Sequence, residues 1–407
     1  MPTKKTLFII PFILLLISCK SQLVYHSIEF ENPYKFNNKI EENLAKDTLD
    51  WKHQMAAGEY ALKGDYQNAL KQWDLAFIPK SHELSEREKD SILEDYNLVS
   101  AKDYIISQAQ KHQIIIINEA HHSSAHRVFT TILLQELYEQ GYRNLGLEAL
   151  GNGKNLDPSL NERGYPIQES GYYTKDPQFG NLIRTALKIG YTLFPYEQDR
   201  MDSDGKHREI AQAENIKNFI DQNPNGKTLI HCGFGHVMEG NVPQWGKAMA
   251  GRLKEFTGID PLTIDQTKYS ERSDSLFNDP LLKALNLKEP SVLIDRDKNP
   301  MKRIRNESFT DIAVFHPNTI YRNNRPTWIL EPDKKDFEIE LKNLPISFPV
   351  MVLAYLQNED FKTGVPMDII EIQNSKQIGH LALRNGNYNV LVTNENNDSV
   401  LLKINVD

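Results

Sequence analysis

Apolar runs alternate with amphipathic segments from about residue 96 onward, which predicts strands connected by helices. Residues 114–117 form a continuous β-branched run, typical of a strand buried on both faces. Further strands are predicted at 145–148, 191–196 and 228–232, with helices at 123–141, 182–189 and 205–221 between them. Strand–helix alternation of this kind predicts an α/β domain over residues 96–335, with a mostly parallel sheet flanked by helices. Later strands are predicted at 291–294 and 311–315, whereas no element is assigned between 255 and 290.

The flanking segments follow other patterns. Residues 52–77 have helical periodicity broken by Gly64-Asp65-Tyr66, which predicts a helical hairpin within residues 51–95. This hairpin is either one tetratricopeptide-like unit packed on the main domain or a plain helix pair. Residues 336–407 contain short alternating strands separated by turn residues. They predict a small antiparallel β-sandwich-like domain with a structural or docking role.

The N-terminus has the form of an export signal. Lys4 and Lys5 precede an apolar run over residues 7–17 that is too short to span a bilayer. The run ends Leu16-Ile17-Ser18-Cys19, which resembles the lipobox of bacterial lipoproteins. The resemblance implies that residues 1–18 are removed and that Cys19 receives several acyl chains (palmitate among them), which would anchor the protein stably. Residues 19–50 then form a tether, and the chain is expected at the cell envelope, at the outer membrane or the periplasmic face.

Charge and cysteine content limit the classes of binding partner and of covalent cross-link that the chain can have. The net charge of −8 is mixed in sign along the chain and includes no basic block, which argues against nucleic acid as a partner. If Cys19 carries lipid, Cys232 stands alone and no internal disulfide can form. The expected partners are therefore the membrane, through the anchor, and a small-molecule or peptide substrate.

Histidines and carboxylates follow the predicted strands at their carboxyl ends. These candidate site residues are Glu119, His121, His122, Glu148 and His236, with Glu197 and Asp199 after the third strand. Arg208, in the helix predicted at 205–221, is a further candidate through the motif described below. In an open parallel sheet, ligands bind at the carboxyl ends of strands, so four strands present such groups to one edge. Glu148 is notable because an unpaired carboxylate is costly to bury in an apolar strand. Gly233 and Gly235 allow a sharp backbone turn before His236.

These residues carry a family resemblance. The sequences Glu119-Ala120-His121-His122, Leu147-Glu148, Arg208-Glu209 and Gly233-Phe234-Gly235-His236 are similar, in this order, to the motifs of one superfamily. It comprises erythromycin-esterase-like hydrolases, ChaN-type haem-binding lipoproteins and Tiki-type metalloproteases. The match covers roughly residues 95–250, and Asn118 replaces the usual glycine. In the esterases, the number of residues between the motif glutamate and the histidine selects His122. In the other two branches it selects His121, so both histidines stay candidates.

The resemblance implies hydrolysis of an ester or amide outside the cytoplasm. In a metal-assisted version, His121, His236, Glu119 and Glu148 bind a divalent ion (Zn, Mn or Co) that activates water. In a metal-free version, a histidine activates water directly, and Glu148 fixes the tautomer and the orientation of that histidine. Arg208 then stabilises an oxyanion or holds a substrate carboxylate. The alternatives are a ChaN-like lipoprotein that binds haem or iron without enzymatic activity and an interaction scaffold with a decayed site.

Overall fold

The computed structural model describes residues 24–77, 81, 83–199 and 204–407. The predicted signal segment and Cys19 lie outside the described residues. Within those residues, no helix combines the length and the apolar character that crossing a bilayer requires.

Helices and strands alternate through the middle of the chain. The α-helices are α1 (Asn37–Lys46), α2 (Lys52–Leu62), α3 (Tyr66–Ala76), α4 (Glu86–Asp95), α5 (Ala101–Ala109), α6 (Ser124–Glu139), α7 (Leu160–Arg163), α8 (Pro177–Ile189), α9 (Gly205–Gln222), α10 (Met249–Thr257) and α11 (Pro280–Ala284). The strands are β1 (His26–Glu29), β2 (Tyr96–Ser100), β3 (Ile114–Glu119), β4 (Tyr142–Leu147), β5 (Thr192–Pro195), β6 (Lys227–Gly233), β7 (Glu239–Gly240), β8 (Leu262–Tyr269), β9 (Ser291–Asp295), β10 (Arg303–Arg305), β11 (Ser308–Thr310), β12 (Ile312–Phe315), β13 (Tyr321–Arg322), β14 (Arg325–Pro326), β15 (Lys335–Ile339), β16 (Val350–Leu356), β17 (Asp368–Ile372), β18 (Gly379–Leu383), β19 (Gly386–Asn394) and β20 (Asp398–Val406).

The main sheet has the strand order β2-β9-β12-β8-β3-β6-β4-β5. Pairing is parallel from β12 to β5 and antiparallel between β12 and β9 and between β9 and β2. The predicted α/β class, with a mostly parallel sheet flanked by helices, is confirmed. Parallel pairing sends the carboxyl ends of β3, β4, β6 and β8 to one edge, where a ligand site forms in such sheets.

The β-branched run in β3 is buried on both faces of the sheet, as predicted. Ile115 and Ile117 pack in one apolar cluster, which includes Leu133 and Leu182 of helices α6 and α8. Ile114 and Ile116 pack in a second cluster on the opposite face. Since side chains of a strand alternate in direction, apolar residues are required at each of these positions. The run therefore fixes β3 in the centre of the sheet.

Strand β8 lies between β12 and β3 and falls in the stretch for which the sequence predicted no element. Asp265 and Gln266 interrupt its apolar pattern, yet both side chains are fully buried. Asn118 makes this burial possible, because its Nδ2 donates to Asp265 Oδ1 at 2.6 Å and its Oδ1 accepts from the Gln266 backbone N–H at 2.8 Å. The same Nδ2 donates to the Phe234 carbonyl at 2.7 Å. Asn118 thus joins β8 to the turn that follows β6.

Separate antiparallel sheets form the C-terminal part of the chain. Strands β1-β20-β19-β16-β17 make one sheet, and β15 pairs with β18. His26–Glu29 pairs with residues 398–401, so part of the segment predicted as a tether, residues 19–50, is a strand of the C-terminal sheet and another part is helix α1. Helices α2 and α3 occupy the region of the predicted hairpin, and its tetratricopeptide-like character stays a prediction.

Replacing Asn118 by Ala should destabilise the fold strongly. The change leaves the Gln266 N–H and the Phe234 carbonyl without their partner in a buried position, and each such group costs about 1–3 kcal/mol. We expect the free energy of unfolding to fall by about 2–4 kcal/mol in denaturant titration. Asn43→Ala, at an exposed position of α1, is the control and should change it by less than about 0.5 kcal/mol. Equal effects of the two substitutions would contradict the assigned role of Asn118.

Candidate active site

A cavity of about 840 Å³ opens at the carboxyl ends of β3, β4 and β6. Its volume suits a drug-sized or short peptide ligand. Four of the six candidate residues line it: Glu119, His121, Glu148 and Arg208. His236 lies directly behind Arg208, whereas His122 is directed elsewhere.

Glu119, the last residue of β3, is held by a bidentate ion pair. Arg127 of α6 donates from Nε to Glu119 Oε2 at 2.6 Å and from Nη2 to Glu119 Oε1 at 2.7 Å. Both side chains are at most 1% exposed. Burial alone would raise the pKa of Glu119, but Arg127 outweighs burial and holds this pKa well below its usual value. Glu119 is therefore a buried, permanently charged carboxylate.

Asp176 extends this ion pair to a second helix. Its Oδ2 lies 3.4 Å from Arg127 Nη1 and accepts from the Ser124 hydroxyl at 2.6 Å. Its Oδ1 accepts the N–H groups of Gln178 and Phe179, so Asp176 is the N-cap of α8. Strand β3 and helices α6 and α8 are consequently locked together directly beneath the cavity.

His121 stands on this frame and faces the cavity. Its Nδ1 lies 3.0 Å from Glu119 Oε1, and its ring stacks on Tyr173 with 3.9 Å between centroids. The edge of Phe234 meets the other side of the ring at 5.0 Å. Nε2 makes no hydrogen bond to any described residue, and the side chain is 22% exposed. A charged partner on Nδ1 fixes the tautomer in which Nδ1 carries the proton and leaves the Nε2 lone pair available.

The neighbouring His122 has different surroundings. It is buried, and its ring stacks on Trp73 of α3 at 4.1 Å, while Trp73 also stacks on Phe234 at 5.3 Å. Burial and the nearby His121 hold the pKa of His122 well below its usual value, so it stays neutral. The structure thus brings His121, and not His122, to the cavity.

Gly233 permits the close approach of His121 to Glu148. A Cβ atom at this position would lie 2.4 Å from His121 Cε1 and 3.5 Å from Glu148 Oε2, so no larger residue fits without displacing the imidazole. The Gly233 N–H also donates to Glu148 Oε2 at 2.6 Å. The glycine predicted to let the backbone turn therefore has a second role, as the spacer between the two side chains.

Arg208 of α9 connects the remaining acidic groups. Its Nη2 donates to Glu148 Oε1 at 2.6 Å, and its Nε lies 3.0 Å from Glu197 Oε2. Burial would raise the pKa of Glu148, but His236 and Arg208 lower it to about 2. Glu148 orients Arg208, whereas the role foreseen for it, orienting a histidine base, belongs to Glu119.

His236 positions Arg208 from behind. Its Nε2 lies 2.9 Å from Arg208 Nη1, and its Nδ1 lies 2.6 Å from Glu209 Oε1. Glu209 is fully buried and also accepts the Met249 N–H at 2.6 Å, at the start of α10. Burial lowers the pKa of His236, but the carboxylates of Glu148 and Glu209 outweigh burial and raise it. Since a guanidinium only donates, the contact with Arg208 belongs to the neutral ring.

The proposed metal ligands do not fit a metal ion in this arrangement. Both oxygens of Glu119 face Arg127, and both oxygens of Glu148 accept from Arg208 or Gly233. No group of three or more His, Cys, Asp or Glu residues within the described part of the chain is arranged to hold a metal ion. His121, His236, Glu119 and Glu148 therefore form two separate hydrogen-bonded units, Glu119 with His121 and Glu148 with Arg208 and His236.

Sequence analysis missed several residues of the site. Arg127 and Glu209 lie within amphipathic helices, where a charge normally indicates a solvent-facing position. Glu209 was named only as part of the motif Arg208-Glu209. Glu197 was predicted at its strand end, whereas the sequence leaves open whether Tyr173 lines a pocket or only packs. The signal for Arg127 was its position eight residues after Glu119, in the first turn of the next helix.

Comparison with known proteins gives distant structural likenesses. No family model matches the chain, and neither does any curated protein. The type III effector HopBA1 has a TM-score of 0.32 and 13% identity, covering 44% of this chain and 90% of its own. RRSP, a MARTX toxin effector domain from Vibrio vulnificus CMCP6, has a TM-score of 0.31 and 17% identity, over 57% of this chain and 48% of its own. A structure of bacterial protein toxins has a TM-score of 0.31 and 15% identity, over 56% and 50%.

The chain thus spans about half the length of two of these proteins. At these TM-scores the likenesses assign no function, and the resemblance to esterase-like, ChaN-like and Tiki-like proteins stays a prediction.

The low pKa of Glu148 predicts acid-sensitive stability. A carboxyl whose folded-state pKa is depressed contributes stability above its unfolded-state pKa, and this contribution is lost as the pH falls through the folded-state pKa. The advantage of the wild type over Glu148→Gln in free energy of unfolding should therefore shrink by about 3 kcal/mol between pH 5 and pH 2. Glu214→Gln, at an exposed position of α9, is the control and should show no such trend. An advantage of Glu148 that is constant with pH would contradict the ion-paired state.

Proposed function

We propose that this protein is an exported, lipid-anchored hydrolase that cleaves an ester or amide with water activated by His121. One observation carries the proposal: Nδ1 of His121 is held 3.0 Å from a buried, charged carboxylate, while Nε2, at the wall of a cavity, has no hydrogen-bond partner among the described residues. General-base catalysis requires this combination of an oriented ring and an available lone pair.

In the first step, Nε2 of His121 takes a proton from water while the water oxygen attacks the substrate carbonyl carbon. The carbonyl π bond breaks and its electron pair moves to the oxygen, which gives a tetrahedral oxyanion. His121 becomes positively charged, and the Glu119 carboxylate 3.0 Å from Nδ1 stabilises this charge. Arg127 keeps Glu119 ionised throughout, so the proton stays on the histidine.

Arg208 is placed to stabilise the oxyanion. Its side chain is 34% exposed and lines the cavity, while Glu148 and Glu197 fix the plane of the guanidinium. A donor held in place before the reaction stabilises developing charge without reorganisation. His236 acts through Arg208 and is a positioning residue.

The second step returns the proton. The oxyanion collapses, the bond from carbon to the leaving oxygen or nitrogen breaks, and the leaving group takes the proton from Nε2 of His121. The products are a carboxylic acid, which ionises, and an alcohol or amine. The base is then neutral and ready for another water molecule, so the cycle consumes only water and substrate.

Replacing His121 by Ala should remove most of the activity, because general-base catalysis contributes about 10²–10⁴-fold. We expect kcat/KM for activated esters and anilides to fall by that factor while circular dichroism stays unchanged. His122→Phe, which keeps a flat ring against Trp73, should retain kcat/KM within about tenfold. The reverse result, with His122 essential and His121 dispensable, would contradict the assignment. If haem binding were the function instead, a Soret band would appear on haem addition, without turnover of any ester.

The raised pKa of His236 predicts where kcat/KM declines on the acid side of its pH profile. Protonated His236 cannot accept from Arg208, so kcat/KM should rise as His236 loses its proton, above the usual pH range of a histidine. Glu209→Gln removes a carboxylate that raises this pKa and should move the decline to lower pH. Glu214→Gln should leave the decline in place. An unmoved decline in Glu209→Gln would show that His236 does not control Arg208.

A further inference from the structure

The charges that line the cavity are mostly neutralised by partners. Glu119 pairs with Arg127, Glu148 and Glu197 pair with Arg208, and Asp157 pairs with Arg163. Three lining residues, Lys154, Glu169 and Lys175, make no ion pair with any described residue. Arg208 offsets only one of its two carboxylates, so the lining keeps one excess negative charge beside Arg208, together with the unpaired Glu169 and the two unpaired lysines.

Lys175 differs from the other two unpaired residues. Lys154 and Glu169 are exposed, so water and salt screen their charges, whereas Lys175 is half-buried. Its Nζ lies 6.0 Å from the centre of the Tyr172 ring, at the limit of a cation–π contact. Lys175 is thus the less exposed of the two lysines in the lining, and without an ion pair to any described residue its ammonium is available to an anion that enters the cavity.

The backbone of Lys175 is held close to the elements that carry His121. Lys175 ends the 3₁₀ turn Tyr173–Lys175, and its carbonyl accepts from the buried Tyr34 hydroxyl at 3.0 Å. The next residue, Asp176, caps α8 and contacts Arg127, which holds Glu119 and through it His121. Lys175 and the proposed base His121 are thus connected through the buried residues Asp176, Arg127 and Glu119.

Two aromatic rings separate the cation from the base. Tyr172 and Tyr173 have centroids 5.1 Å apart, and Tyr173 stacks on His121 at 3.9 Å. Tyr172 is 45% exposed, which leaves an apolar surface open to the cavity. The aromatic strip, Tyr172 and Tyr173, can therefore carry an apolar segment between an anion at Lys175 and a carbonyl at His121.

From this juxtaposition we infer that the substrate is an ester or amide whose acyl chain ends in a carboxylate that binds Lys175. The apolar part of the acyl chain lies on the aromatic strip, and the carbonyl carbon lies beside Nε2 of His121. This inference rests on the proposed function, since the cleaved bond is the one placed at His121. It adds a specificity element that the hydrolytic machinery itself does not contain.

The test compares two series of 4-nitrophenyl esters on the full chain. One series has acyl chains ending in carboxylate (succinate to suberate half-esters), and the other has methyl-terminated acyl chains of equal length. We expect kcat/KM to favour the carboxylate series about fivefold or more at low salt, with the preference falling as salt increases. Lys175→Met should bring the ratio between the series close to one. Lys188→Met, an exposed lysine at the end of α8, is the matched control and should keep the wild-type ratio.

A ratio that is the same in wild type and Lys175→Met would overturn the inference, even when both series are hydrolysed. If neither series is hydrolysed, the proposed function fails. The binding of a carboxylate at Lys175 is then tested without catalysis. In that case NMR titration should show octanoate binding several-fold more tightly than octanamide to the wild type and equally to Lys175→Met. Equal binding of both compounds by the wild type would contradict the inference.

Discussion

The buried ion pair between Glu119 and Arg127 is the interaction on which the rest of the site depends. A carboxylate at the end of a central strand is tolerated in an apolar interior only if it is paired and hydrogen-bonded. Arg127 meets this requirement, and its contact with Asp176 joins the N-terminus of α8 to the same unit. The same contacts of Arg127 that offset the cost of burying Glu119 and Asp176 therefore also make the site rigid.

The chemistry is divided between two hydrogen-bonded units that face each other across Gly233. One unit, Glu119 and His121, offers a free lone pair, and the other, Glu148, Arg208 and His236, offers a fixed cation. Acyl transfer to water requires a base and a hydrogen-bond donor for the oxyanion in one cavity. Phe234, which contacts His121, has a φ of 38°. This left-handed conformation is strained for an aromatic residue, and the Asn118 contact with its carbonyl helps to hold it.

Much of this arrangement could be predicted from the sequence, and the failures have physical reasons. Strands with β-branched runs were identified because both of their faces are buried, and parallel topology then brought Glu119, Glu148 and Gly233 to one edge. Strand β8 was missed because Asp265 and Gln266 look solvent-facing, and only the distant Asn118 makes their burial possible. The choice between His121 and His122 depended on Trp73, nearly fifty residues away in sequence, which no local pattern reveals.

The most direct test of this account is the tautomer of the neutral His121 ring, measured by ¹⁵N NMR of the labelled protein. The account predicts that the neutral ring carries its proton on Nδ1, where it faces Glu119, and leaves Nε2 unprotonated at the cavity. In Glu119→Gln this tautomer preference should weaken, while a histidine paired elsewhere, such as His380 beside Asp336, keeps its signals. A His121 ring protonated on Nε2 in the wild type would have no lone pair to offer water, and it would contradict the central claim.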